Sequence, residues 1–584
     1  MQRPHFMNPA RNLSSPDDFM WYQLERINTE FSIGWFACLP FEDLDFETGL
    51  EYIRKHPYDD FMHKHLLHIA GTFGPNLVGS LVERGRENDP CLLALIYETC
   101  ILNDRLHDLR KRFDGIGVKR LEEYTPLIYI KWSLRQNQNN STYWAGLFSE
   151  NVYQHKPLPS PKDLEHPVPF DRNATEAWKA GVVPIETVLS EGDRKASQKA
   201  AVARVAPEET INKATEKLKA CDVMAGEEKE TNSGLGPHAL LRQWKLDVAV
   251  SAGRNQWRLT GIQTSYGKGL NIHEARASCL MEMVERCSAF ASFHPESIPG
   301  YKCRHPIIKA SYEDLIGKGH NALDPNDMNL EVPYQNQELY WIPAERANEN
   351  GRYPVYVPAQ LVFLFCNLDE ISLTSGLPSN GLAAGNNIEE ARRNALLEVI
   401  ERDAERVIPY SREKCFLLES EDPQVSDILK GCKEQGIHIQ FLDITSEFSI
   451  PCYKAFVQES RGEILKGTGA GLDGKKAAVS ALTEVPYSHS QQNGSIPLPD
   501  GIRTIKYEEL PDYSSGDAGE DLRLLERLLI TNGYHPIYVD LTRADLDIPV
   551  VKALIPGLEM ISDFDQFSSL SLRQFAHSGY CDGI

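Results

Sequence analysis

An α/β domain with internal repeats, preceded by a mainly α-helical N-terminal domain, is the fold class predicted by this 584-residue sequence. Three observations predict it. Residues 1 to about 150 carry apolar positions at helical spacing, as in DPCLLALIYETCILNDRLHDLRKRF. From about 206 to 560, strand-like runs such as PVYVPAQLVFLF, IHIQFLDI, CYKAFVQ and HPIYVDL alternate with long helical patterns, which marks an α/β mixture. One helical segment also occurs twice, with a fainter third occurrence.

In the N-terminal domain, HPYDDFMHKHLLHIAG places His63, His65 and His68 within two helical turns. No acidic partner stands at ligand spacing, so these are read as hydrogen-bonded or solvated histidines and not as a metal site. Five prolines between Pro157 and Pro169, in PLPSPKDLEHPVP, cannot continue a helix. With the polar EGDRKASQKAAVARV that follows, they make 151–205 an expected linker. APEETINKATEKLKACDV then offers a proline and carboxylates suited to a helix start, which places the α/β domain at 206–560 and leaves 561–584 as a tail.

The hydrophobic fraction of 41% and charged fraction of 25% are ordinary for a globular chain. A net charge of −22 repels phosphate backbones and anionic surfaces, so neither nucleic acid nor membrane is expected as a partner. The N-terminal stretch shows no apolar h-region with a cleavage site, and its most apolar run, FSIGWFACLPF, is too short to span a bilayer. A soluble cytoplasmic protein is expected. Twelve scattered cysteines without a C-x-x-C pair read as reduced thiols.

The repeat carries the chemistry. GLNIHEARASCLMEMVER, residues 269–286, aligns without gaps on GNNIEEARRNALLEVIER, residues 385–402, and ten of eighteen identities make them copies of one unit. At about 100° per residue, Ile388, Ala391, Ala395 and Val399 share an apolar face. Glu390, Asn394, Glu398 and Glu401 share the opposite side, and Glu274, Ser278, Glu282 and Glu285 match them in the first copy. In a single copy, Glu282 with Arg286 and Glu398 with Arg402 would be ordinary i,i+4 surface pairs, worth about 0.3–0.5 kcal/mol.

Repetition points elsewhere. Glutamates three apart repel each other, so facing helices bearing such rows need cations between them. Hard oxygen donors without His or Cys suit Mg²⁺ held together with substrate phosphates. A di-iron bundle would need Glu-x-x-His, which neither copy has. TSYGKGLN and SNGLAAGNN put free N–H groups at the two helix starts, where phosphate is well received, and Lys268 adds a point charge. Neither stretch matches the Walker A pattern.

The third copy, GLDGKKAAVSALTEVPY, keeps Gly471, Ala477, Leu482 and Glu484. It has Pro486, and then Tyr487 where the second glutamate would fall. The proline ends or kinks that helix, so a different job is expected of it.

These motifs resemble the YcaO family of ATP-dependent enzymes that activate amide carbonyls, over a span from about Ala206 to Leu558. The resemblance covers APEETINKA, the two E-x-x-E-R helices and DLTRADLDIPVVKALIPGLE. It implies an α/β fold that binds ATP and Mg²⁺, with metal and phosphate roles for Glu282, Glu285, Glu398 and Glu401. Further nucleotide-site roles are implied for Ser278, Asn386, Glu390 and Arg402, with Arg402, Glu398 and Glu401 at the reacting centre.

The implied chemistry is O-phosphorylation of a peptide or protein amide, for thioamidation or a related cyclodehydration-type modification. Many members follow the third-copy T-E with Gln and Arg, where this chain has Tyr487 and His489. Azoline-forming members typically finish with a proline-rich tail, whereas this chain ends SGYCDGI, which turns the expectation toward thioamides. Residues 1–200 hold only Cys38, Cys91 and Cys100, so no zinc-bearing E1-like domain is expected there. A partner protein would then act in trans, with a homodimer also compatible. The competing expectation is a non-catalytic accessory protein that binds ATP and a partner, for example supporting ribosomal-protein methylthiolation.

Overall fold

The computed structural model describes residues 19–27, 35–191, 205–231, 234–376, 379–487, 495–560 and 564–580. Among them are three larger sheets and three repeat helices. The first sheet orders its strands as Trp35–Pro40, Met20–Ile27, Asn255–Gly269, His238–Ala252 and Met224–Glu230. The second runs Gly351–Pro358, Leu339–Asn348, Ile537–Asp540, Val550–Leu554 and Leu382–Ala384, with Ile308–Ala310 joining Leu339–Asn348. The third runs Ile464–Ala470, Cys452–Gln458, Ile439–Asp443, Cys415–Glu419 and Arg503–Lys506.

Each repeat helix follows a sheet strand and folds back over it: Ile272–Ala289, Ile388–Val407 and Gly474–Glu484. Each also reaches the neighbouring sheet. The first helix touches Leu382–Ala384 of the second sheet, and the second touches Ile464–Ala470 of the third. The third helix touches Asn255–Gly269 of the first sheet, which closes a ring. The third helix, of which the sequence predicts a different job, thus packs in one ring with the other two.

The N-terminal region is mainly helical, as expected, but its described part begins with two strands. Met20–Ile27 pairs in parallel with Asn255–Gly269 and extends the first sheet. Tyr22, Phe61 and Trp257 form an aromatic cluster across that junction, with ring centroids 5.1 to 6.5 Å apart. Truncating the fully buried Trp257 to alanine would cost about 3–5 kcal/mol. The buried Asp59 accepts hydrogen bonds from Tyr22 Oη at 2.8 Å and Asn367 Nδ2 at 2.9 Å, tying the helix Asp60–Ala70 to the α/β region. The helical-period segment DPCLLALIYETCILNDRLHDLRKRF forms an α-helix to Leu102 and then a 3₁₀ helix capped by Asn103.

The segment read as a linker, 151–205, is packed structure over its described part. It contains the helices Arg172–Gly181 and Ile185–Glu191, while 192–204 lie outside the described residues. Its proline-rich stretch lays Leu158, Leu164, Val168 and Phe170 against Trp144, Phe148 and Phe575. Phe575 belongs to a short helix, Leu572–Ser578, in the segment read as a tail. APEETINKATEKLKACDV forms the helix Pro207–Ala220, with Pro207 in its first turn as expected.

His63 is buried, with Nε2 2.9 Å from the Pro57 carbonyl, and burial lowers its pKa to about 4. Among the described residues no helix is long and apolar enough to cross a membrane, and every described cysteine is a free thiol.

Candidate active site

The two first helices start alike for local reasons. Asn271 and Asn387 are N-caps whose side chains accept from the backbone N–H of Glu274 at 3.0 Å and Glu390 at 2.8 Å. Glu274 and Glu390 reach back to accept from Leu270 N–H at 3.1 Å and Asn386 N–H at 3.0 Å, a variant capping box in each copy that returns to the residue before the N-cap. The lead-in glycines have a steric reason. A Cβ on Gly269 would lie 2.7 Å from Ala275 N, and one on Gly385 would lie 2.4 Å from Ala391 N. Close approach of helix and strand therefore requires glycine at these two positions.

Past the cap, the glutamate rows follow one scheme. The first glutamate of each pair accepts from its own repeat's strand: Glu282 from Tyr266 N–H at 2.8 Å, Glu398 from the Leu382 backbone. The second glutamate reaches the next repeat's strand. Glu285 accepts from the Ala384 backbone, and Glu401 from Thr468 Oγ1 at 2.8 Å and Ala470 N–H at 3.2 Å. Hence the row that looked like the wet side of a helix seams the three sheets together.

Burial raises the pKa of all four carboxyls, that of Glu401 to about 7, and Arg286 and Arg402 oppose the rise. Burial lifts Glu285 well above the usual carboxylate range, and the like charges of Glu398 and Glu282 add to the rise. The side chains keep some exposure, 29% for Glu282, 16% for Glu285 and 15% for Glu401, so they are not sealed in.

Three charged neighbours had no site role in the sequence reading. Glu484 of the third helix acts on Glu282, Glu401 and Arg402. Its signal was its alignment with Glu282. Arg286 stands 3.6 Å from both Glu282 and Glu285. Lys552, fully buried, donates to the Asn380 carbonyl at 2.6 Å and faces Glu398; burial lowers its pKa to about 8. Five carboxylates thus meet three cations, Arg286, Arg402 and Lys552, and the ionised cluster stays negative.

A partly open set of oxygen donors, short of positive charge, fits Mg²⁺. Glu282, Glu285, Glu398 and Glu401 are the residues that could hold it. Among the described residues no three His, Cys, Asp or Glu side chains converge at ligand distance; the glutamates instead engage strand N–H groups and the two arginines.

The other predicted residues lie around this cluster. Lys268 Nζ donates to the Glu484 carbonyl at 2.9 Å, bringing the third helix to the first strand. Asn386 Oδ1 accepts from Thr210 Oγ1 at 2.9 Å. Ser278 is exposed one turn before Glu282. Arg402 lies 3.7 Å from Glu401 and 3.3 Å from Glu405. Tyr487 is buried in the core of the third sheet, so the third copy gives a single carboxylate. His489 lies outside the described residues.

Known proteins resemble this chain over part of its length. An uncharacterised protein of Methanothermobacter thermautotrophicus is 32% identical over 334 residues, 51% of this chain and 82% of that protein. A YcaO protein from Methanopyrus kandleri, solved with AMPPCP and Mg²⁺, is 23% identical, with a TM-score of 0.42 over 60% of this chain and 91% of its own. A heterocyclase solved with substrate and cofactor is 19% identical, with a TM-score of 0.48 over 64% of this chain; this chain spans only 56% of its length. The family model described as YcaO cyclodehydratase, ATP- and Mg²⁺-binding, matches residues 266–559, half of the chain and all three repeat helices. The chain therefore belongs to the YcaO family of ATP-dependent cyclodehydratases, whose cofactors are ATP and Mg²⁺.

Proposed function

We propose that this protein uses ATP and Mg²⁺ to phosphorylate the oxygen of an amide carbonyl in a peptide or protein backbone, leading to a thioamide or a related cyclodehydration-type product. The observation that carries this reading is the meeting of glutamates from all three repeat helices around Arg286 and Arg402. In it, Glu282, Glu285, Glu398 and Glu401 hold Mg²⁺, and Lys268, Ser278, Asn386, Glu390 and Arg402 contact the nucleotide. Bound Mg²⁺ supplies neutralisation of phosphate charge.

A sulfur, oxygen or nitrogen nucleophile, from the substrate or delivered by a partner protein in trans, adds to the carbonyl carbon. The resulting oxyanion attacks the γ-phosphorus and ADP leaves. The C–O bond then breaks and inorganic phosphate departs with the former amide oxygen; no electrons change hands. Arg402, beside Glu398 and Glu401, offsets the charge on the moving phosphoryl group. The need for ATP and the free thiols of the described cysteines suit the cytoplasm.

The test is a peptide substrate labelled with ¹⁸O in its backbone amide. Label in the released phosphate is expected; turnover that leaves the phosphate unlabelled contradicts the reading. A second reading, a non-catalytic accessory protein that binds ATP and a partner, is favoured by the burial of Tyr487 away from the cluster. Saturable nucleotide binding without phosphate release, across candidate substrates, would support it.

A further inference from the structure

The last turn of the second helix departs from the first just past the paired arginines. Where the first copy has Ala289, the second has Glu405. Only 6% of the Glu405 side chain is exposed, and a carboxylate so placed is costly unless it is paired. Its Oε2 accepts from Arg402 Nη1 at 3.3 Å. Its Oε1 accepts from Lys466 Nζ and lies 4.0 Å from Lys454 Nζ, both lysines coming from the third sheet. Burial pushes the Glu405 pKa up, but Lys466, Lys454 and Arg402 prevail and hold it at about 2.

Arg402 Nη1 also meets Thr468 Oγ1 at 3.4 Å, and that hydroxyl donates to Glu401 at 2.8 Å. The guanidinium is therefore held between Glu401 and Glu405. Arg286, with no counterpart of Glu405, stays between the two glutamates of its own row.

Residues from before the family-matched span close the far side of this arrangement. The Tyr153 ring lies 4.6 Å from Lys466 Nζ. His155 stacks on Tyr410 at 4.1 Å and meets Phe456 edge-on. Burial and the two lysines hold its pKa near 3, so it stays neutral and adds no charge. Asn151 clamps Tyr410 in place, donating to its carbonyl at 3.1 Å and accepting from its N–H at 2.7 Å. An ordinary i,i+3 surface pair would leave Glu405 solvated, contrary to its burial under two lysines.

We infer that Glu405 is a positioning residue for Arg402, holding its guanidinium in the orientation that meets the terminal phosphate of ATP, while Lys454 and Lys466 fix Glu405. This rests on the proposed reading of Arg402 as a phosphate contact. The test is calorimetric titration of the full chain with Mg·AMPPNP and with Mg·ADP. Arg402→Lys is expected to weaken Mg·AMPPNP binding about tenfold, the worth of a charge-assisted hydrogen bond, and to change Mg·ADP little.

Glu405→Gln is expected to reproduce that selective loss, and the double variant to add nothing further. Glu405→Asp keeps the charge with a shorter reach and should fall between. If Arg402→Lys changes neither affinity, the reading of Arg402 fails. If Arg402→Lys acts selectively but Glu405→Gln and Glu405→Asp leave both affinities unchanged, or lower both alike, the positioning role is overturned.

Discussion

Through Arg286 and Arg402 the first and second repeat helices are near copies; beyond those residues they part. The first continues as Cys287, Ser288, Ala289 and Phe290, all buried, and ends in an apolar core. The second continues as Asp403, Ala404, Glu405 and Arg406 and buries its charges, each met by another element. Arg573 of the C-terminal helix grips Asp403 through two hydrogen bonds of 2.5 and 2.7 Å and also pairs with Glu447. Lysines of the third sheet hold Glu405. Arg406 lies 3.5 Å over the Phe564 ring and 4.0 Å from Glu559. The shared part of the helices makes a symmetric cluster; the divergent part ties that cluster to the third sheet, the C-terminal helix and the N-terminal region.

The comparison can be broken at several points. The largest effect is expected where the copies agree: Glu398→Gln or Glu401→Gln should lower ATP turnover by about a hundredfold or more, and Glu282→Gln or Glu285→Gln likewise, measured as phosphate release. Turnover that survives in one copy's variants would break the equivalence.

The divergent turn should show itself in stability. Arg573→Leu leaves Asp403 and Glu447 buried without their cation and should cost about 3–5 kcal/mol in urea unfolding. Cys287→Asp, which copies the second helix's aspartate into the first, buries a carboxylate beside Arg543, a cation already paired with Asp545, and should cost less, about 1–3 kcal/mol.

The pH dependence separates the two parts further. The glutamates of the cluster have raised folded pKa values, so without metal the stability tied to their protons is greatest below the ordinary value of 4.5. It is lost as pH rises through the folded values, about 7 for Glu401. Glu405 and Glu447, held near 2, act oppositely, and their contribution is lost only as pH falls from 4.5 towards 2. Mg·ATP should therefore raise the melting temperature more at about pH 7.5 than at about pH 5.5, since ligand must displace protons at the lower pH. An equal rise at both would contradict the raised values.

The smallest effects belong to the capping boxes. Glu274→Ala and Glu390→Ala should each cost about 0.5–1 kcal/mol. Only the second should also weaken nucleotide binding, if the role proposed for Glu390 holds.

What the sequence shows of this site is what is local and repeated. Gly-x-Asn lead-ins, rows of glutamates and the paired arginines sit at fixed spacing on one helix, so periodicity exposes them. Glu484 aligned with Glu282, yet Pro486 and Tyr487 hid that the third helix closes the same ring. The remaining charges come from distant segments with no periodic pattern. Even so, CYKAFVQ and PVVKALI each set one lysine in an apolar strand run, and both lysines, Lys454 and Lys552, are buried beside a glutamate. A lone lysine there is a readable sign of a buried partner. The pairing of Met20–Ile27 with Asn255–Gly269 joins segments over two hundred residues apart, and no local pattern announces it.

The central claim is that both copies build one cluster that binds ATP with Mg²⁺. Titration of the full chain with AMPPNP, with and without Mg²⁺, tests it most directly when wild type is set beside the double variants Glu282→Gln/Glu285→Gln and Glu398→Gln/Glu401→Gln. Mg²⁺-dependent binding in the wild type, lost in both double variants, is the predicted result; wild-type affinity in either double variant would contradict it.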